Sequence, residues 1–419
     1  MNRREFLRAS GGLAILGKSA DFSFASAIEA AAPDTGLSPW QPGFLDIHHI
    51  HTGRGNSALV VMPDGTSLLV DAGASGTRSP AMNSAKPDAT RRPGQWIARY
   101  IERQLKATSR TGLDYALLTH LHGDHIGDVT PQSPQSSYAE YKLSGISDVA
   151  EAVPIGKLID RGYPNYDYPA KVTDATALNY IQFVQAAVRR GLVAEQVKVG
   201  ASTQIELIRS RDRYPEFRVR ILAGNGHAWS GESEGSISHF PPQSPSGPSE
   251  LASENSCSIA LRLSYGKFSY FTGGDLTCDT NYGRDPWRDI ESPAAKAAGE
   301  VSVSTCNHHG YFDANGPGFV SALRPRVWIL QSWHASHPAM SVLANLYSPI
   351  LYPGPRDVFC LGLHPAAALS CARFSDRFKS SEGHGLVRVA PGGAEFSVLV
   401  LEDGDESDRV KGIFGPYPS

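Results

Sequence analysis

SALVVMPDGTSLLVDAG (57–73) alternates two apolar runs with a Pro63-Asp64-Gly65 turn, which predicts strand, turn, strand. The period then changes. In GQWIARYIERQLKAT (94–108), Trp96, Ile97, Tyr100, Ile101 and Leu105 fall on one helical face. DYALLTH (114–120) reads as a buried strand, KLIDRG (157–162) as a short one, and ATALNYIQFVQAAVRRGL (175–192) as a helix. In the second half, FRVRILAGNGHAW (217–229) is a strand running into a loop, and SIALRLSYGKFSYFTGGD (258–275) a hairpin turning at Tyr265-Gly266-Lys267. VSVSTCNHHG (301–310) is a strand ending in histidines, and PGFVSALRPRVWILQS (317–332) a short helix followed by a strand. Two more strand patterns close the chain at GLVRVAPGG and AEFSVLVLED.

Strand pairs in both halves, with helices between them, predict an α/β fold of two packed sheets covered by helices. There is no internal repeat. One domain is expected over 40–405, with Ser-, Pro- and Gln-rich inserted loops near 129–156 and 230–252 and a C-terminal tail at 406–419.

Composition narrows the function. The formal net charge is -3, so long nucleic acid and anionic membrane are disfavoured as partners. Cys257, Cys278, Cys306, Cys360 and Cys371 are widely spaced with no CxxC pair, and read as buried small hydrophobes rather than a zinc knuckle or redox pair. The N-terminus, NRREFLRASGGLAILG, has the paired Arg3-Arg4 and weakly apolar stretch of a twin-arginine export signal. A signal peptide is expected over 1–32, with the twin-arginine translocase as a partner during export and a periplasmic or secreted destination. The apolar run is too short to span a membrane, and no span is expected in the mature chain.

The chemistry concentrates in LLTHLHGDHIGD (117–128). His120-x-His122-x-Asp124-His125 follows an apolar strand, so residues i and i+2 of the turn can point at one centre while Asp124 and His125 face a second. Imidazoles suit a borderline metal such as zinc. A lone HxH pair arises by chance on surfaces. Four ligand-type residues in six positions do not arise so easily.

HxHxDH resembles the signature of the metallo-β-lactamase-fold hydrolases. The resemblance extends in order through Asp71 of LLVDAG, His227 of GNGHAW, Asp275 of FTGGD and the NHHG at 307–310. Within that superfamily the chain is most similar to the soluble domain of ComEC-type competence proteins. The opening FLDI…GRGNSALVVMPDGTSLLVDAG, the ENSCSIALRLSYGKFSYFTGGD segment, HHG and Ser336-His337-Pro338 carry that likeness. The membrane channel of those proteins is absent, Asn56 stands where they have an acidic residue, and Asp128 replaces a glycine. The resemblance implies a four-layer αββα metallo-β-lactamase-type sandwich with two divalent metal ions, Zn2+ or Mn2+. It assigns His120, His122 and His227 to one metal and Asp124, His125 and His309 to the other. Asp275 lies between the two, and Asp71 orients the metal loop from behind. His309 is preferred to His308 because the family's ligand directly precedes a small residue.

The implied chemistry is hydrolysis. Two adjacent dications lower the pKa of bound water from roughly 15.7 to about 7, giving a metal-bound hydroxide that attacks a phosphodiester or similar ester. Asp124 is expected to hold the nucleophile and carry its proton, and His308 or His337 to donate to the leaving oxygen. The partner is then a small-molecule ester or phosphodiester. A lactone or β-lactam hydrolase, or a non-catalytic metal-binding protein of the same fold, stand as alternatives. Three further features read as structural. His48, His49 and His51 are expected on the site rim or surface, and Tyr163, Tyr166 and Tyr168 in a packing loop. Arg209, Arg211 and Arg213 are expected on a solvated strand edge.

Overall fold

A computed structural model describes residues 36–76, 79–242 and 253–419. The expected export segment lies outside these residues, as does the end of the 230–252 insertion.

The chain starts in one sheet, builds a second and returns to the first. Strands β1 (Leu45–His49), β2 (Ser57–Val61) and β3 (Ser67–Ala72) form an antiparallel meander. β4 (Leu113–Leu117), β5 (Ile155–Asp160) and β6 (Val193–Gln196) then add in parallel. Helices α1 (Pro93–Leu105), α2 (Gly123–Ile126), α3 (Ile146–Ala152) and α4 (Ala175–Arg189) lie between these strands in the chain.

The second sheet comprises β7 (Phe217–Gly224), β8 (His227–Trp229), β9 (Ser236–Ser238), β10 (Ala260–Tyr265), β11 (Phe268–Thr272), β12 (Val303–Thr305), β13 (Val327–Leu330) and β14 (Asp357–Cys360). Its spatial order is β14-β13-β12-β11-β10-β7-β8-β9, and β11 to β14 are mutually parallel. Helices α5 (Glu291–Ala298), α6 (Pro317–Leu323) and α7 (Met340–Leu346) belong to this half. β15 (His384–Val389), β16 (Glu395–Leu401) and β17 (Val410–Pro418) complete the first sheet beside β1.

Side-chain alternation assigns each face. Ala58 and Val60 of β2 join a core shared with Ile221, Phe268 and Ile329 of the opposite sheet. Leu59 and Val61 join a separate core with Ile97, Ile101 and Phe183 of the first helical layer. In β13, Val327 and Ile329 face the other sheet, while Trp328 and Leu330 pack with Phe319 and Leu343 of the second helical layer. Helix, sheet, sheet, helix is the four-layer αββα sandwich expected. Each fully buried Leu, Ile or Phe adds roughly 1.5–3 kcal/mol, so these cores make a stiff frame for the site. Among the described residues no helix is long and apolar enough to cross a membrane.

Several local expectations are corrected. The expected tail, 406–419, contains edge strand β17, and Glu406 and Asp408 pair with Arg99 and Arg103 of α1. The 129–156 loop contains α3. The HHIH histidines are buried rather than at the rim, because β1 lies between β15 and β2 with both faces covered. His48 Nδ1 meets Tyr100 Oη, His49 Nε2 meets Tyr270 Oη, both at 3.0 Å, and His51 Nδ1 meets Asp403 Oδ2 at 2.7 Å. Burial pushes His49 down to about 4, so it is a neutral core residue at physiological pH. Arg209 does not project from a strand edge but reaches Asp114 Oδ1 at 2.8 Å. The tyrosine loop does pack: the Tyr166 and Tyr180 hydroxyls both donate to the buried Asp160.

Candidate metal centre

The parallel strands of both sheets end at one edge of the sandwich. Asp71 lies near the end of β3, and the His120–His125 run follows β4. Asp275 follows β11, and His308 and His309 follow β12. Functional groups gather at such strand ends because the loops there are free to vary on a rigid sheet.

Asp71 organises the first loop from a left-handed backbone, φ 61°. Its Oδ1 accepts from Thr119 N at 2.7 Å, and its Oδ2 accepts from Thr119 Oγ1 at 2.8 Å and His125 Nδ1 at 2.7 Å. With Nδ1 committed to Asp71, Nε2 is the His125 atom that faces the centre and would supply the lone pair to a metal once deprotonated. The loop is tight. A Cβ at Gly73 would come within 1.9 Å of Asp124 O, and one at Gly123 within 1.7 Å of Asp128 Oδ1. Asp128 closes the turn from outside, accepting from Gly76 N at 2.8 Å.

Asp124, His125, Asp275 and His309 converge, each offering a ligand atom within 4.8 Å of the others. His309 Nε2 is 2.8 Å from Asp124 Oδ2 and 3.4 Å from Asp275 Oδ2. His125 Nε2 and Asp275 Oδ1 face each other as an ion pair at 3.1 Å, and neither of these buried atoms has a well-formed hydrogen bond. Buried polar atoms without such a bond are costly. Two of them aimed at one point fit a metal ion there.

The charges agree. Burial pushes the Asp124 and Asp275 carboxyls up, but His125 and His309 outweigh it and hold both below the usual range. Burial likewise pushes His125 and His309 down, and the carboxylates outweigh that, holding His309 at about 9. The cluster therefore attracts positive charge, which a divalent cation supplies. His120 is different: burial, then His125, keep it well below its ordinary value and so neutral, as a metal-binding imidazole must be.

The remaining sequence candidates fall around this core. His120 Nε2 lies 3.1 Å from His122 Nδ1 and 3.8 Å from Asp275 Oδ2, next to the four-residue group rather than in it. His308 takes the same left-handed backbone as His309, φ 46° and 56°. Its Nδ1 meets Asp313 Oδ1 at 2.7 Å, and its Nε2 is 3.8 Å from Asp275 Oδ2. His337 stacks on His309 with ring centroids 5.0 Å apart, and burial keeps it neutral. His227 is not brought to the centre. It sits on β8, paired with Ser238 and 3.4 Å from Ser236 Oγ. The sheet order puts β8 three strands from β11, roughly 14 Å at the usual spacing.

Some groups carry weight to which the sequence reading gave no role. Asn56 Oδ1 meets His309 Nδ1 at 3.0 Å. Buried Glu291 accepts from Asn307 Nδ2, Asn315 N and Gly316 N, and Asn315 and Asn307 bond each other reciprocally. That network holds the strained His308–His309 turn. An asparagine directly before the paired histidines was the one available hint. Beside His122 lies a cleft of about 280 Å³. It is lined by Ala170, Lys171, Val172 and the Arg161–Glu254 ion pair, whose closest atoms are 2.5 Å apart.

Residues 51–139 match the metallo-β-lactamase superfamily model. That segment contains Asp71 and the whole His120–His125 run, and the match is to the superfamily as a whole. No curated protein matches the sequence. Among solved structures the chain is similar to human tRNase Z, short form, at 9% identity and a TM-score of 0.30. The alignment covers 68% of this chain and 91% of that one.

Proposed function

We propose that this protein is an exported, dinuclear metal-dependent hydrolase that cleaves a small phosphodiester or similar ester. The observation that carries the reading is the convergence of Asp124, His125, Asp275 and His309, with two of their buried ligand atoms lacking a well-formed hydrogen bond. Zinc or manganese ions held there would acidify water and polarise the ester oxygen.

In this reading Asp124, His125 and His309 would hold one ion and His120 and His122 the other, with Asp275 available to both. Asp124 has its side chain 18% exposed, while those of His125, His309 and Asp275 are at most 1% exposed. It therefore faces incoming water and takes its proton. His308, steered by Asp313, turns Nε2 inward and gives a proton to the leaving oxygen. His337 packs behind His309. The cleft beside His122 seats the rest of the substrate. The twin-arginine pattern supports export.

Elemental analysis after metal-replete purification is expected to find at least one equivalent of zinc or manganese. Hydrolysis of bis-p-nitrophenyl phosphate should disappear with a chelator and return with metal, and a panel adding lactones and β-lactams fixes the bond type. Less than one equivalent of metal sinks the proposal. Ala170→Trp, which fills the cleft, should raise KM for a nucleoside monophosphate aryl ester roughly tenfold with little change in kcat, a loss of about 1.4 kcal/mol of binding. An unchanged KM would place the substrate elsewhere.

A further inference from the structure

The two histidines of the converging group are held from behind by different chemistry. His125 Nδ1 donates to the carboxylate of Asp71 at 2.7 Å. His309 Nδ1 donates to the side-chain amide oxygen of Asn56 at 3.0 Å. The first acceptor is an anion and the second is neutral.

Asn56 is buried, 8% exposed, and its backbone is committed on both sides. Its N–H donates to Asp124 O at 2.9 Å, and its carbonyl accepts from Gly73 N at 2.8 Å. One residue therefore ties together the segment carrying Asp124, the end of β3 and the His309 ring. The tie crosses from the first sheet to the second, because Asn56 directly precedes β2 and His309 follows β12.

An acceptor behind a ligating imidazole fixes the ring's orientation and tautomer, and an anionic acceptor also makes the ring a stronger donor to the metal. Asp71 does both for His125. Asn56 supplies the orientation for His309 without the charge. We infer that Asn56 is the positioning residue for His309 and sets an upper limit on how tightly the centre holds its ion. The inference rests on the metal-centre part of the proposed function and is independent of which bond is cleaved.

The test is zinc affinity, measured on the full chain by competition with a chromogenic chelator, for wild type, Asn56→Leu and Asn56→Asp. Leu removes the acceptor at similar volume, and affinity should fall about 10–100-fold. Asp restores the acceptor and adds charge, and affinity should rise above wild type, on the order of tenfold. A merely structural role would not produce tightening in Asn56→Asp, and that arm does not depend on Asn56→Leu folding well. Wild-type affinity in Asn56→Leu overturns the positioning role. Asn56→Asp binding no tighter than wild type overturns the upper limit. A wild-type chain that binds no zinc, manganese or cobalt overturns the metal-centre reading itself, an outcome distinct from either.

Discussion

Asp124→Ala is expected to lower kcat/KM for bis-p-nitrophenyl phosphate by roughly 10²–10⁴-fold, the usual worth of a positioned proton acceptor. The geometry makes this side chain the sensitive one. It stands at the open side of the centre and touches His309 Nε2 at 2.8 Å. The fold should persist. The Asp124 backbone, not its side chain, carries the loop contact, accepting from Asn56 N at 2.9 Å. Circular dichroism and melting temperature should therefore stay near wild type while turnover collapses. Metal content measured on the same sample separates a lost proton acceptor from a lost ligand. Wild-type turnover in this variant would remove Asp124 from the mechanism.

The second large effect concerns stability and pH. Burial pushes Glu291 from its usual 4.5 up to about 8, against the pull of the Gly316, Asn315 and Asn307 N–H donors. The folded chain thus holds this proton more tightly than the unfolded chain does. The contribution is complete below about pH 4.5, shrinks as pH rises, and is gone above about pH 8. The span corresponds to roughly 3–5 kcal/mol. Other groups titrate over the same range, so the informative quantity is the difference from Glu291→Gln. Gln keeps an oxygen for the Asn307 and Asn315 donors but cannot ionise. Melting temperatures from pH 5 to 9 should fall more steeply for wild type than for Glu291→Gln, and parallel curves would refute the assignment. Because Glu291 holds Asn307 and Asn315, weakening it should also loosen the His308–His309 turn.

What the sequence discloses depends on how local the cause is. The β2–β3 hairpin is legible because Pro63-Asp64-Gly65 sets the turn within three residues, with Gly65 at φ 81°. The His120–His125 run is legible because four of its groups lie within six positions of one strand end. β17 is not. Gly412, Gly415, Pro416 and Pro418 read as turn signals, and the segment is a strand only because it pairs with β16 at the sheet edge, where proline is tolerated. His227 fails for a related reason. A histidine after a strand resembles a ligand, but which strand lies beside which is set by the sheet order, and β10 and β7 separate β8 from β11. Asn56 and Glu291 act across 253 and 16 residues. Nothing near them in the chain marks the partner. The buried HHIH cluster misleads because histidine is usually read as polar, whereas a neutral imidazole with a tyrosine partner sits comfortably in a core.

The seam between the sheets has a kinetic meaning. Asp124 and His309 are 185 residues apart and arrive on strands of different sheets. Neither sheet alone presents the full set: the His120–His125 run comes from the first and Asp275 and His309 from the second, so a half-folded chain would hold an ion less firmly. Contacts of such sequence separation are slow to form, because the long intervening loop must be closed first. An ion held at that edge would act as a latch, favouring only the docked state. Stripping it with a chelator should lower the melting temperature of the whole sandwich.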